Sequence, residues 1–103
     1  MAKREIVWTQ TAAKQRRSIL KYWVKHNKSS SFSLKLLKLS NEKADVIAAD
    51  PMLFQKADFP NTRVATMGYF SIYYQFTSTQ IIITAFWDNR QDPKRLFRLL
   101  NKE

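Results

Sequence analysis

Lys56, Arg63, Tyr69, Tyr73, Asp88 and Arg90 are the side chains of this sequence whose types could act together on a phosphodiester. Cations stabilise the charge that builds on phosphate in the transition state, and a carboxylate or a tyrosine can hold or pass a proton. Gathered on one surface, they would suit a metal-independent ribonuclease. Each also has a structural use. Arg63 can contact phosphate or pair with a carboxylate, and Asp88 can pair with Arg90 or with an arginine of the N-terminal third. Tyr69 and Tyr73 can be ordinary sheet surface or platforms on which bases stack.

Other chemistries are excluded by what the chain lacks. It has no cysteine, and His26 is its single histidine, so thiol nucleophiles, disulfides and thiolate or His-cluster metal sites are ruled out. The single glycine, Gly68, cannot build a Gly-rich phosphate loop, and no GxSxG elbow is present. Neither a metal nor a cofactor is expected. His26 falls near the end of a helical pattern, where the helix dipole favours its cationic form; an exposed helix-end histidine is the expectation.

The chain has 103 residues, enough for one domain with one modest core, and residues 1–103 are read as such. Three tryptophans, seven phenylalanines and four tyrosines among 45% hydrophobic residues mark a folded chain. The net charge of +10 is unevenly spread. Residues 1–28 hold eight bases against one acid, residues 29–60 four of each, and residues 61–103 six against three. Such a balance favours anionic partners, nucleic acid or an acidic protein segment, or it merely keeps a small domain soluble. With no apolar run of roughly 18 residues and no apolar stretch behind MAKREIVW, a cytoplasmic protein without a membrane partner is expected.

The elements that must position those groups follow from periodicity. EIVW, residues 5–8, is a strand that ends at Thr9, a helix N-cap. TAAKQRRSILKYWVKHN then places Ala12, Arg16, Ile19, Leu20, Trp23 and Val24 on one helical face, with Arg16 the polar exception whose stem lies along the core. After the polar break NKSSS, a second helix places Leu36, Leu37, Ala44, Ile47 and Ala48 inward, and Pro51 disfavours helix at Asp50. A break that short predicts an antiparallel helical hairpin.

Beyond MLFQKADFPN the period changes to two, and three strands are expected in TRVATM, YFSIYYQFT and QIIITAFWD, with turns at Gly68 and at Thr77, Ser78 and Thr79. In the middle strand Phe70, Ile72, Tyr74 and Phe76 should meet the helices, while Tyr69, Ser71, Tyr73 and Gln75 face away. The expected architecture is α+β, in the order β-α-α-β-β-β with a short C-terminal helix. The hairpin packs on one face of a small, mostly antiparallel sheet, and the other face stays partly open.

The stretch FWDNRQDPKRLFRLL joins the last strand to the last helix. Asp92 and Pro93 read as N-cap and N1, and Leu96, Phe97, Leu99 and Leu100 as the apolar side of the helix. Capping leaves Trp87, Asp88, Asn89 and Arg90 unexplained.

With TRVA, YFSIYY and FWDNRQDPKRL in that order, the chain resembles the RelE/ParE superfamily of bacterial toxins of type II toxin-antitoxin modules. The likeness covers nearly the whole sequence, and FWDNRQDP is its most specific part. It implies a toxin wrapped and neutralised by a cognate antitoxin protein, with operator DNA bound only through their complex. RelE-like relatives cleave messenger RNA on the ribosome, and ParE-like relatives are associated with inhibition of DNA gyrase. Arg63 matches an arginine common at the start of the meander. The arginine of the next strand is replaced by Ser71, and a terminal histidine-tyrosine pair by Asn89 and Arg90. Asparagine cannot titrate near neutrality, so the resemblance implies the ParE side, a growth-inhibiting protein that binds its target. Lys56, Arg63, Tyr69, Trp87 and Arg90 would make the contact. The alternatives are a ribosome-dependent nuclease with Lys56, Arg63, Tyr73, Asp88 and Arg90 as its catalytic set, and an inactive relative that only binds antitoxin.

Overall fold

A computed structural model describes residues 3–101. The chain runs β1 (Glu5–Trp8), α1 (Gln10–Asn27), α2 (Ser31–Ala49), β2 (Gln55–Lys56), β3 (Arg63–Met67), β4 (Phe70–Phe76), β5 (Gln80–Asp88) and α3 (Pro93–Asn101). The expected order holds with one addition. The two-residue β2 lies within MLFQKADFPN, which carries no strand periodicity; it forms because Lys56 and Gln55 fall opposite Arg63 and Val64 of β3.

Both helices begin and end for local reasons. Thr9 is extended, and its hydroxyl accepts the Ala12 N–H at 3.1 Å, satisfying one of the donors a helix start leaves free. α1 stops where Lys28 turns left-handed, with φ 52°, a conformation that costs a side-chain-bearing residue but reverses the chain within a few residues. α2 ends before Pro51, with Asp50 at φ −151°. The hairpin buries Ala12, Leu36, Ala44, Ile47 and Ala48 against the sheet, and Ile19 and Leu20 pack on them. Val24, expected inward, is 41% exposed.

The five strands lie in the order β1-β5-β4-β3-β2. β1 is an edge strand, parallel to β5, and the other pairs are antiparallel. Gly68, at φ 65°, supplies the left-handed turn between β3 and β4. The Thr77 hydroxyl accepts the N–H groups of Thr79 and Gln80 in the turn before β5. Phe70, Ile72 and Tyr74 enter the core as the alternation predicts, with Phe76 packed at its margin.

β5 does not keep one alternation. Tyr74 pairs with Ile83, but Tyr73 pairs with Ala85, so Thr84 is an extra residue in the ladder. Before this bulge Ile81 and Ile83 point toward the helices; after it Phe86 does, and Ala85 and Trp87 point the other way. There they meet Leu96 of α3 in a second small core, joined by Phe59, Tyr73 and Leu100. The sheet face expected to be partly open is therefore covered at this end. The cover is narrow: Leu96 is buried, whereas Phe97 and Leu99, also expected inward, are exposed.

Candidate functional site

Asp88 ends β5 on the helix side of the sheet, where the bulge has directed it. Its carboxylate takes a fork from Arg90: the backbone N–H and Nε both donate to Oδ1 at 2.9 Å, and Nη2 donates to Oδ2 at 2.8 Å. Asp88 is held below the usual carboxylate range chiefly by that side-chain hydrogen bond, and Arg90 is raised by the same contact. The guanidinium also lies 4.8 Å from the Tyr69 ring centroid and 5.5 Å from that of Trp23. Arg90 thus links the end of β5, the β3–β4 turn and the last turns of α1. A shallow cavity of about 300 Å³ opens beside it, with Tyr22 and Trp23 on its helical wall. His26, exposed at the helix end as expected, stacks on Tyr22 with ring centroids 5.5 Å apart.

Of the remaining candidates only Tyr69 lies against this pair. Arg63 is half-buried at the start of β3, and its Nη1 donates to the Phe54 carbonyl at 2.6 Å, tying the strand to the preceding loop. Lys56 sits opposite Arg63 in the β2–β3 ladder and is exposed. The two share the lining of another open cavity, with Phe59 and Phe76. Tyr69 is 66% exposed at the hairpin tip. Tyr73 is half-buried in the second core, edge-on to Phe59 at 5.8 Å, and burial, aided by Asp58, pushes its hydroxyl up.

Trp87 is only 6% exposed; it packs with Ala85 and Leu96 instead of presenting a contact surface. Ser71, at the position where relatives keep an arginine, is buried and donates to Asn89 Oδ1 at 2.9 Å, while the Asn89 N–H donates to the Tyr69 carbonyl at 2.7 Å. Ser71 and Asn89, two of the three replaced positions, are therefore bonded to each other. At the start of α3 the Asp92 carboxylate accepts the Lys94 N–H at 3.0 Å, the capping read from sequence.

Arg16 behaves as its sequence position implied. Its guanidinium lies 3.9 Å from the Trp8 ring centroid and donates to Ser40 Oγ and Asn41 Oδ1 of α2. Burial lowers its pKa, and hydrogen bonds with a π face replace the water it loses.

Sequence reasoning missed an apolar groove between α2 and the β3–β4 hairpin. It has a volume of about 500 Å³; Phe32, Leu39, Val46, Met67 and Tyr69 line it, with Lys35, Glu42 and Lys43 as its charged side chains. Phe32, Leu39 and Val46 are exposed by 38%, 43% and 45%. The signal was in the sequence: these three recur every seventh residue, which stacks them in one stripe of α2 beside the stripe that enters the core.

Among the described residues no group of three His, Cys, Asp or Glu side chains is placed to hold a metal, and no helix is long and apolar enough to cross a membrane. The family model described as "ParE toxin of type II toxin-antitoxin system, parDE" matches residues 6–93. Among solved structures, a chain from "Chromosomal ParDE TA system from P. aeruginosa" superposes with a TM-score of 0.70 at 19% identity, over 82% of this chain and 94% of that one. No curated protein matches the chain.

Proposed function

The chain belongs to the ParE toxin family of type II toxin-antitoxin systems, and from that premise we propose that it arrests growth by binding DNA gyrase, without cutting messenger RNA. The carrying observation is that most of the groups able to move a proton or hold a phosphate are already committed. Asp88 is neutralised by Arg90, Arg63 is bonded to a backbone carbonyl, and Tyr73 is packed in a core. A general acid-base pair works best with pKa values near the working pH. Tyr73 is shifted up and Asp88 down, each away from neutrality. Of the contact residues expected from sequence, Lys56, Tyr69 and Arg90 are exposed; Lys56 and Tyr69 retain that role in the proposal, whereas Arg90 is engaged by Asp88.

The antitoxin belongs to the same proposal. The α2 groove is apolar along its floor, with two lysines and one glutamate, Glu42, around it, which suits the apolar face of an amphipathic helix whose flanks are mainly acidic. Operator DNA would be met only through that complex.

Expression without antitoxin, followed by plasmid topology, message mapping and a supercoiling assay with purified gyrase, tests the reading. Loss of gyrase supercoiling with intact messages is the expected result, and the paired substitutions Lys56→Ala and Tyr69→Ala should weaken it in a folded protein. Discrete new cleavages within translated messages, with gyrase unaffected, would replace it by the nuclease reading. Absence of growth arrest would leave only an antitoxin-binding module.

A further inference from the structure

The solvent side of α1 carries a charge pattern that the fold does not use. Lys14, Arg17, Lys21 and Lys25 follow one another at steps of three or four residues, which sets them in one exposed stripe, and Lys28 continues it at the helix end. α1 contains no acidic residue, and none of the five cations has an ion-pair partner among the described residues. Like charges at these spacings repel one another and weaken a helix. With nothing in the fold to offset it, the stripe is suited to an anion from outside.

Beside it runs a second stripe, Ser18, Tyr22 and His26, at four-residue steps. Tyr22 is 56% exposed, and its ring lies 5.5 Å from that of His26 with 11° between their planes. The half-buried Trp23 stands edge-on to both, at 5.1 Å and 5.3 Å, and Phe32 of α2 packs on Trp23 at 5.1 Å. The exposed ring pair is therefore braced before any ligand arrives. The cavity of about 300 Å³ beside Tyr22 is edged by Ser18, Gln91 and Arg90, whose Nη1 is not used by Asp88. These groups can meet the polar edge of a planar ligand.

We propose that α1 binds a single-stranded nucleic acid, its phosphates along the cation stripe and its bases stacked on Tyr22 and His26. Unpaired bases offer the π faces that a braced aromatic pair can stack on, and the phosphate chain offers one charge per nucleotide beside them. A duplex would bring the phosphates but keep its bases enclosed. An acidic peptide would use the cations and leave the rings without a partner. Lys14 to Lys25 span about 16 Å of helix at about 1.5 Å per residue, which matches about four or five phosphates of a stacked strand at about 3.4 Å each. The surface lies in the helical layer, apart from Lys56 and Arg63 on the sheet. It goes beyond the toxin reading and does not depend on which enzyme is inhibited.

Fluorescein-labelled oligothymidylate and oligouridylate of about ten nucleotides are the probes, a length within the range that such surfaces cover. Anisotropy with the full chain should show saturable binding of at least one, and the tighter of the two identifies the sugar. The logarithm of the association constant should fall against the logarithm of salt with a slope of about −3, or about −0.7 for each of roughly four phosphates neutralised. A duplex of the same length should bind about fivefold more weakly or worse, because its bases cannot reach the rings.

Tyr22→Ala should cost about fivefold or more in affinity with the salt slope unchanged, and Tyr22→Phe should keep the parent affinity. His26→Ala gives the same reading should Tyr22→Ala perturb the fold. Lys21→Gln should instead flatten the slope by about 0.7, whereas Lys38→Gln, exposed on α2, should leave it as it is. Absence of binding to both oligonucleotides overturns the proposal. So do equal affinity for the duplex, unchanged affinity in both folded ring variants, an equal slope change in Lys21→Gln and Lys38→Gln, or a glutamate peptide that binds as tightly as the oligonucleotides.

Discussion

At the scale of single residues, Arg90 is better described as a strut than as a free cation. Its charge is spent on Asp88, and its planar face on Tyr69 and Trp23. The pair makes stability depend on pH in a predictable direction. Arg90 depresses the folded-state pKa of Asp88, so the contribution is fully present above the ordinary carboxylate value near 4 and is lost as pH falls through the lower folded value. Asp88→Asn should therefore be less stable than the parent above about pH 5, with the gap narrowing toward about pH 2; denaturant titrations across that range measure it. A gap independent of pH would mean that the amide merely disturbs packing. The two ends of this corner were not equally legible in the sequence. Asp92 and Pro93 could be read because a cap acts over three residues. The Arg63 bond could not, because its partner is the backbone carbonyl of Phe54, which leaves no mark on composition.

At the scale of elements, the helical hairpin and the three long strands were legible because each is set by its own period and by neighbouring stop signals. The Thr84 bulge was not. QIIITAFWD has no glycine or proline to announce an extra residue, and apolar side chains on both sides of Thr84 hide a change of face. That bulge decides where Trp87 goes, and with it why α3 has anything to cover. The two cores should differ in weight accordingly. Ile47, on the inner face of α2, is fully buried in the large cluster, and Ile47→Ala should cost about 4 kcal/mol. Leu96→Ala should cost about 2 kcal/mol, since the small cluster lies near solvent and can relax around the gap. Equilibrium unfolding of both variants checks the ranking. Equal losses would mean that α3 is as integral to the fold as α2.

For the whole molecule, a net charge of +10 on 103 residues means that compaction works against its own repulsion. Raising salt from about 0.01 M to 0.15 M shortens the Debye length from about 30 Å to 8 Å, and the melting temperature should rise with it in a calorimetric series at constant pH. The same salt should weaken attachment to an anionic partner, so stability and binding ought to move in opposite directions. Charge was fully legible from the sequence, whereas the pairing of its ends was not. Glu5 lies opposite Gln80 in a parallel ladder, and no local pattern announces a partner so far along the chain. That pairing also sets a schedule for synthesis. The first strand leaves the ribosome early and must wait for β5, its neighbour in the sheet, which is made after all the other strands. Closing so long a loop is the slow step of forming such a sheet. A nascent chain therefore cannot acquire this shape until β5 has been made, and its producer meets the finished fold only from that point on.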